Sequence, residues 1–191
     1  LADENQRLRK LLFNAQTGAE QVLDSSLLPF QVAQAKVIKN SFSAPRNYLT
    51  INKGDNDGVT QDMGVITSKG ILGIVENTSG QFATVQSILN TKSSINAKIK
   101  NTDYFGSLEW DASDHTVVQL VDIPRLVPLV VGVTIVTGAM SSIFPENIPI
   151  GTIKRYVLNA SKSYYNIDVA LFNDMANVRW VYLVQNHNKA E

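Results

Sequence analysis

Asn52-Lys-Gly-Asp-Asn-Asp-Gly58-Val-Thr-Gln-Asp-Met-Gly64-Val-Ile-Thr-Ser-Lys-Gly70-Ile-Leu-Gly73-Ile-Val75 is the stretch that decides the fold. Gly54 and Gly58 bracket a polar Asp-Asn-Asp tip, which suits a tight turn with positive φ. Gly64 to Thr67 then reads as a short strand, Lys69-Gly70 as a turn, and Ile71 to Val75 as the returning strand. Gly73 inside that strand predicts a bulge or a close backbone approach. A second block further on has the same punctuation: Val131-Gly-Val-Thr-Ile-Val-Thr137-Gly-Ala-Met-Ser-Ser-Ile-Phe144-Pro145-Glu-Asn-Ile148-Pro149-Ile-Gly151-Thr-Ile153. Pro145 and Pro149 cannot donate to a central ladder, so this stretch reads as a surface loop or an edge, followed by a strand to Leu158. On the residues alone, both blocks are turns of a β-barrel. Glycine and proline set backbone geometry here, not reaction chemistry.

Outward from these blocks the periodicity is two. Ile95, Ala97 and Ile99 alternate with Asn96, Lys98 and Lys100, and Tyr165, Ile167 and Val169 alternate with Asn166, Asp168 and Ala170. Such alternation marks half-buried antiparallel strands. Further strands are expected at Val32–Ile38, Tyr48–Asn52, Phe82–Ile88, Tyr104–Trp110, Val117–Asp122, Val133–Thr137, Thr152–Leu158 and Val178–Val184. Short strands with turn signals between them, and no helical pattern separating them, predict a barrel or sandwich and argue against a parallel βαβ sheet.

Residues 1 to about 24 are the one strongly helical stretch. Leu1, Leu8, Ala15 and Val22 recur every seven residues, with Asn5, Leu12 and Ala19 on the companion seam, which is a d/a heptad pattern. Asn5 at an a position would fix register and strand number. The competing reading is an amphipathic helix packed on its own domain, since three heptads are few and Gly18 weakens the last turns. A break near Asp24-Ser25-Ser26, before Pro29, gives an expected division into a helix (1–28), a first barrel (29–102) and a second barrel (103–191). The second boundary is placed at the polar Lys100–Asp103 run, with a return of the last strands to the first barrel as the alternative.

The 191 residues carry 17 basic and 17 acidic side chains and no cysteine. A balanced surface has no electrostatic footprint for nucleic acid or anionic lipid, and no disulfide framework or cysteine zinc site can form. No run approaches the ~20 apolar residues that span a bilayer. The chain opens at Leu1 in mid-helix, as a fragment with a missing upstream part would.

Catalytic and ligand chemistry finds little support. A histidine-dependent triad would have to use His115, in the polar loop after Trp110, or His187, in the terminal tail; neither stands near a nucleophile signature. Asp55-Asn56-Asp57-Gly58 echoes a calcium loop, but the twelfth residue is Ile66, not Glu, so a turn stabilised by Asx side chains is expected. Gly70-x-x-Gly73 lacks the ending of a phosphate loop. Tyr104, Phe105 and Trp110 sit among Asp103, Glu109 and Asp111, which reads as a core cluster with acidic rims rather than a nucleic-acid face. No metal, cofactor or catalytic residue is expected. The loop carrying Phe144, Pro145, Ile148 and Pro149 is either a protein-contact patch, if exposed, or a plug for the end of the second barrel.

Together, in this order and spacing, the two glycine- and proline-punctuated blocks resemble the bacterial rod-shape-determining family MreC, and the opening Leu-Ala-Asp-Glu-Asn-Gln-Arg-Leu-Arg resembles its heptad segment. Two departures stand out: Asn147 replaces a family glycine two residues after Phe-Pro, and Gly132-Val133 replaces Gly-Asp. Asparagine tolerates the left-handed conformation, so the turn should survive. The resemblance implies two six-stranded antiparallel barrels behind a coiled-coil helix. It implies a non-catalytic, homodimeric or further self-associating scaffold of the elongation machinery. Such a scaffold lies in the periplasm, anchored to the inner membrane by an upstream transmembrane helix. Implied partners are the class B penicillin-binding transpeptidase and the membrane-side proteins MreD and MreB. Two readings from other classes remain beside it: a β-barrel cell-wall hydrolase, and a glycan-binding module using Trp110 or Trp180.

Overall fold

Every strand expected from the alternation is present. The computed structural model describes residues 2–8 and 30–186. The strands are β1 (Phe30–Asn40), β2 (Arg46–Ile51), β3 (Gly64–Thr67), β4 (Gly70–Thr78), β5 (Ala83–Asn90), β6 (Ile95–Ile99), β7 (Phe105–Glu109), β8 (Val117–Pro124), β9 (Thr134–Thr137), β10 (Pro149–Leu158), β11 (Tyr164–Leu171) and β12 (Trp180–Asn186). They close into two antiparallel barrels of six, in the orders β1-β12-β3-β4-β5-β2 and β10-β11-β8-β7-β6-β9. Closure leaves neither sheet with a free edge.

The inward residues fill each barrel. Ile51, Val65, Ile71, Val75 and Val85 are buried in the first, and Leu120, Ile123, Ile135, Ile153 and Val169 in the second. The bulge expected at Gly73 lies where the β3–β4 register shifts from Val65 opposite Gly73 to Ile66 opposite Ile71. A Cβ on Gly73 would strike the Gln86 carbonyl of the neighbouring strand, so the close approach is real as well.

The domain division differs from the one drawn from composition. β6 belongs to the second barrel, so the barrels part between Asn90 and Ile95 rather than at 102. The polar run Lys100–Asp103 is the β6–β7 turn, not a linker. Asn101 takes a left-handed φ of 62°, and the Thr102 hydroxyl donates to the Ile99 carbonyl at 2.7 Å. The last strand returns: β12 pairs with β1 and β3, making the first barrel discontinuous in sequence.

The helix covers 2–8, about two turns. Its Glu4 carboxylate lies beside the Tyr182 hydroxyl of β12. Leu8 is 3% exposed and belongs to the core, whereas Asn5 faces solvent. The other proposed seam positions, Leu1, Leu12, Ala15, Ala19 and Val22, lie outside the described residues, as does His187. Two turns are too short to display a heptad seam, and no coiled coil is present among the described residues.

Candidate functional site at the joint between the barrels

Strands β3 and β4 depart from one-sided burial along most of their length. All of Gly64–Thr67 and Gly70–Gly73 are buried, so their outer faces are covered too. The cover comes from the second block. Phe144, only 2% exposed, sits where a side chain on Gly64 would be: an added Cβ would lie 2.8 Å from its ring and 3.3 Å from Ile143. Gly70 stands against the Pro149 carbonyl so closely that a Cβ there would collide with it. Gly64 and Gly70 of the first block are therefore seats for the second.

The loop is shaped for this contact from within its own barrel. Buried Thr137 at the end of β9 donates its hydroxyl to the Pro145 carbonyl at 2.6 Å and accepts the Ile148 N–H at 2.8 Å. Asn147 has φ 69°, so the turn does survive replacement of glycine by asparagine. Lys98 faces outward from β6 yet is nearly buried, because Glu146 lies over it as an ion pair. Phe144, Pro145 and Ile148 are buried and Pro149 is half-buried. As an exposed contact patch this loop is thus corrected: its large apolar groups are used inside the chain, with Phe144 packed against the first barrel rather than only closing the second.

A second tie was not legible in the sequence. Buried Asn173, in the crossover from β11 to β12, donates to the carbonyls of Gly70 at 3.2 Å and Ile71 at 2.9 Å, and accepts from the Thr67 hydroxyl. One side chain from the crossover thereby satisfies the β3–β4 hairpin. Nothing local marks it, since its partners lie more than a hundred positions earlier. A third contact joins Phe42, after β1, to His115, with ring centroids 5.3 Å apart and tilted by 50°.

The described residues among those considered for catalysis and metals are occupied structurally. His115 packs on Phe42. Its neighbour Asp114 accepts the Thr116 hydroxyl at 2.7 Å and N–H at 2.8 Å, and these bonds hold its carboxyl below the usual range. Asp57 caps the N–H of Gly54 at 3.2 Å, and Asp55 accepts from Thr78 at 2.6 Å, as expected for an Asx-stabilised turn. Among the described residues no group of three or more His, Asp or Glu side chains gathers as a metal site. Of the aromatic trio only Trp110 is core, its indole N–H donating to the Asp114 carbonyl at 2.9 Å; Tyr104 and Phe105 are exposed. No helix among the described residues is long and apolar enough to cross a membrane.

This arrangement defines a class: a structural protein of two closed barrels whose glycine and proline motifs build the joint between them. The barrel core of the family described as Rod shape-determining protein MreC matches residues 37–185, and the chain belongs to the MreC family. The family is one of structural, shape-determining proteins and not of enzymes. The cell shape-determining protein MreC of Listeria monocytogenes is 29% identical over 70% of this chain and 46% of its own length. That of Streptococcus pneumoniae is 24% identical over 96% of this chain and 65% of its own length. The chain thus spans about half to two thirds of these relatives. Among solved structures, MreC of Listeria monocytogenes superposes with TM-score 0.77 at 25% identity, covering 100% of this chain and 89% of that one. The major periplasmic domain of an MreC described as a cell shape-determining filament gives 0.70 at 23% identity, covering 82% and 96%. A complex between a penicillin-binding protein and MreC from Helicobacter pylori gives 0.60 at 11%, covering 82% and 99%.

Proposed function

We propose that this chain is the periplasmic part of a non-catalytic scaffold of the cell-elongation machinery, anchored to the inner membrane by a helix upstream of Leu1. It binds and activates the class B penicillin-binding transpeptidase and associates with itself, with MreD and MreB as companions on the membrane side. The observation that carries this reading is family membership together with the Helicobacter pylori complex, in which an MreC sharing this fold is bound to a penicillin-binding protein.

Self-association is assigned to the amino-terminal helix, through Leu1, Asn5, Leu8, Leu12, Ala15, Ala19 and Val22. Because Leu8 is buried within the chain, pairing there exchanges an internal contact for one between chains. Leu8→Asp with Leu12→Asp should then yield monomers in sedimentation. A dimer mass unchanged by the double substitution removes the helix from the assembly.

Calorimetry with the soluble periplasmic part of the elongation transpeptidase from the same organism tests the partner assignment. Saturable heat is expected. Absence of heat, with both proteins folded, overturns it.

A further inference from the structure

A cleft of about 250 Å³ opens where the helix, the β3–β4 turn and the β11–β12 crossover meet. Trp180, 48% exposed at the start of β12, forms one wall. The rim carries Glu4, Lys69, Asp174, Asn177 and Arg179. Its floor is the Thr67–Asn173 network that ties the crossover to the β3–β4 hairpin. That network and the barrel strands fix the walls before any ligand arrives, which limits the ordering cost of binding.

We propose that this cleft binds a neutral saccharide, with one ring of a glycan stacked on the Trp180 indole. A pyranose ring has an apolar C–H face and a rim of hydroxyls that both donate and accept. It therefore requires a flat apolar plate beside mixed polar groups, and the cleft supplies both. Lys69 and Arg179 are balanced by Glu4 and Asp174, so the site has no net charge with which to select a phosphate or a polyanion. Asn177 adds an amide able to donate and accept. The volume lies below the ~300–1,000 Å³ of sites for drug-sized ligands, so it holds one ring while the rest of the chain continues into solvent. This site stands independently of the transpeptidase reading.

The chain has two tryptophans, and Trp110 is 5% exposed with its indole N–H bonded to the Asp114 carbonyl. A change in emission on ligand binding therefore reports Trp180. Titration of the whole chain with N-acetylglucosamine trisaccharide should give a saturable emission shift. In Trp180→Ala, calorimetric affinity should fall at least about tenfold, the loss of one stacked anchor. Asn177→Ala should weaken binding several-fold while keeping the emission signal. No saturable change in emission or heat overturns the proposal, as does an affinity in Trp180→Ala equal to that of the parent. The indole would then serve only to cover its cross-strand neighbour Lys36.

Discussion

Phe144 occupies the space of the side chain that Gly64 lacks, with only 2.8 Å between an ideal Cβ at 64 and the aromatic ring. These residues come from the two motif blocks and from different barrels. The glycine therefore acts as the receiving half of a joint, and its smallness matters more than its flexibility.

Gly64→Ala should destabilise the chain by about 1–3 kcal/mol through overpacking, because the ring behind it is held by the Thr137 network and has little room to retreat. In a Phe144→Ala background the same substitution should cost much less. A double-mutant cycle by urea denaturation checks this, with a coupling above about 0.5 kcal/mol expected for residues in contact.

Phe144→Ala alone should cost about 3–5 kcal/mol, the range for emptying a buried aromatic site. If the loop were instead an exposed contact patch, this substitution would leave stability nearly unchanged. Thermal and urea unfolding separate the two outcomes.

Asn173→Ala removes the side-chain donor of the Ile71 carbonyl and leaves the Gly70 carbonyl only the 3.5 Å contact of the Thr67 hydroxyl, in a buried site. A loss of about 1–3 kcal/mol is expected. Amide exchange should quicken first in the β3–β4 hairpin, which the asparagine secures.

Burial, and then the Glu4 carboxylate, push the Tyr182 hydroxyl above its ordinary value of 10.0. The unfolded chain then loses this proton at a lower pH than the folded one. The contribution is fully present below pH 10 and is lost as pH rises through the raised folded value. Stability measured against pH should slope downward there, and Tyr182→Phe should flatten that part of the slope.

Local pattern made the strands legible. β3 spans the residues read from the glycine punctuation, Gly64–Thr67, and β6, Ile95–Ile99, lies within the alternating run from Ile95 to Lys100. What depends on distant partners was not legible. Phe144 and Ile148 could read as exposed or buried until Gly64 was placed opposite the loop. Asn173 reads as any loop asparagine because the carbonyls it satisfies lie more than a hundred positions earlier in the chain. The polar run at Lys100–Asp103 looked like a linker, since a hairpin turn and a domain boundary use the same residue types. The helix 2–8 shows the same limit: Leu8 fits a seam between chains or a place in the chain's own core, and heptad spacing does not distinguish them.

The joint implies that the two barrels are fixed to one another, and a spin-label distance across it measures this most directly. The chain has no native cysteine, so Glu76→Cys on β4 and Asn166→Cys on β11, both exposed, give one clean pair. A single narrow distance distribution, broadened by Phe144→Ala, is the expected result. A broad distribution in the parent chain, unaltered by that substitution, would contradict the joint.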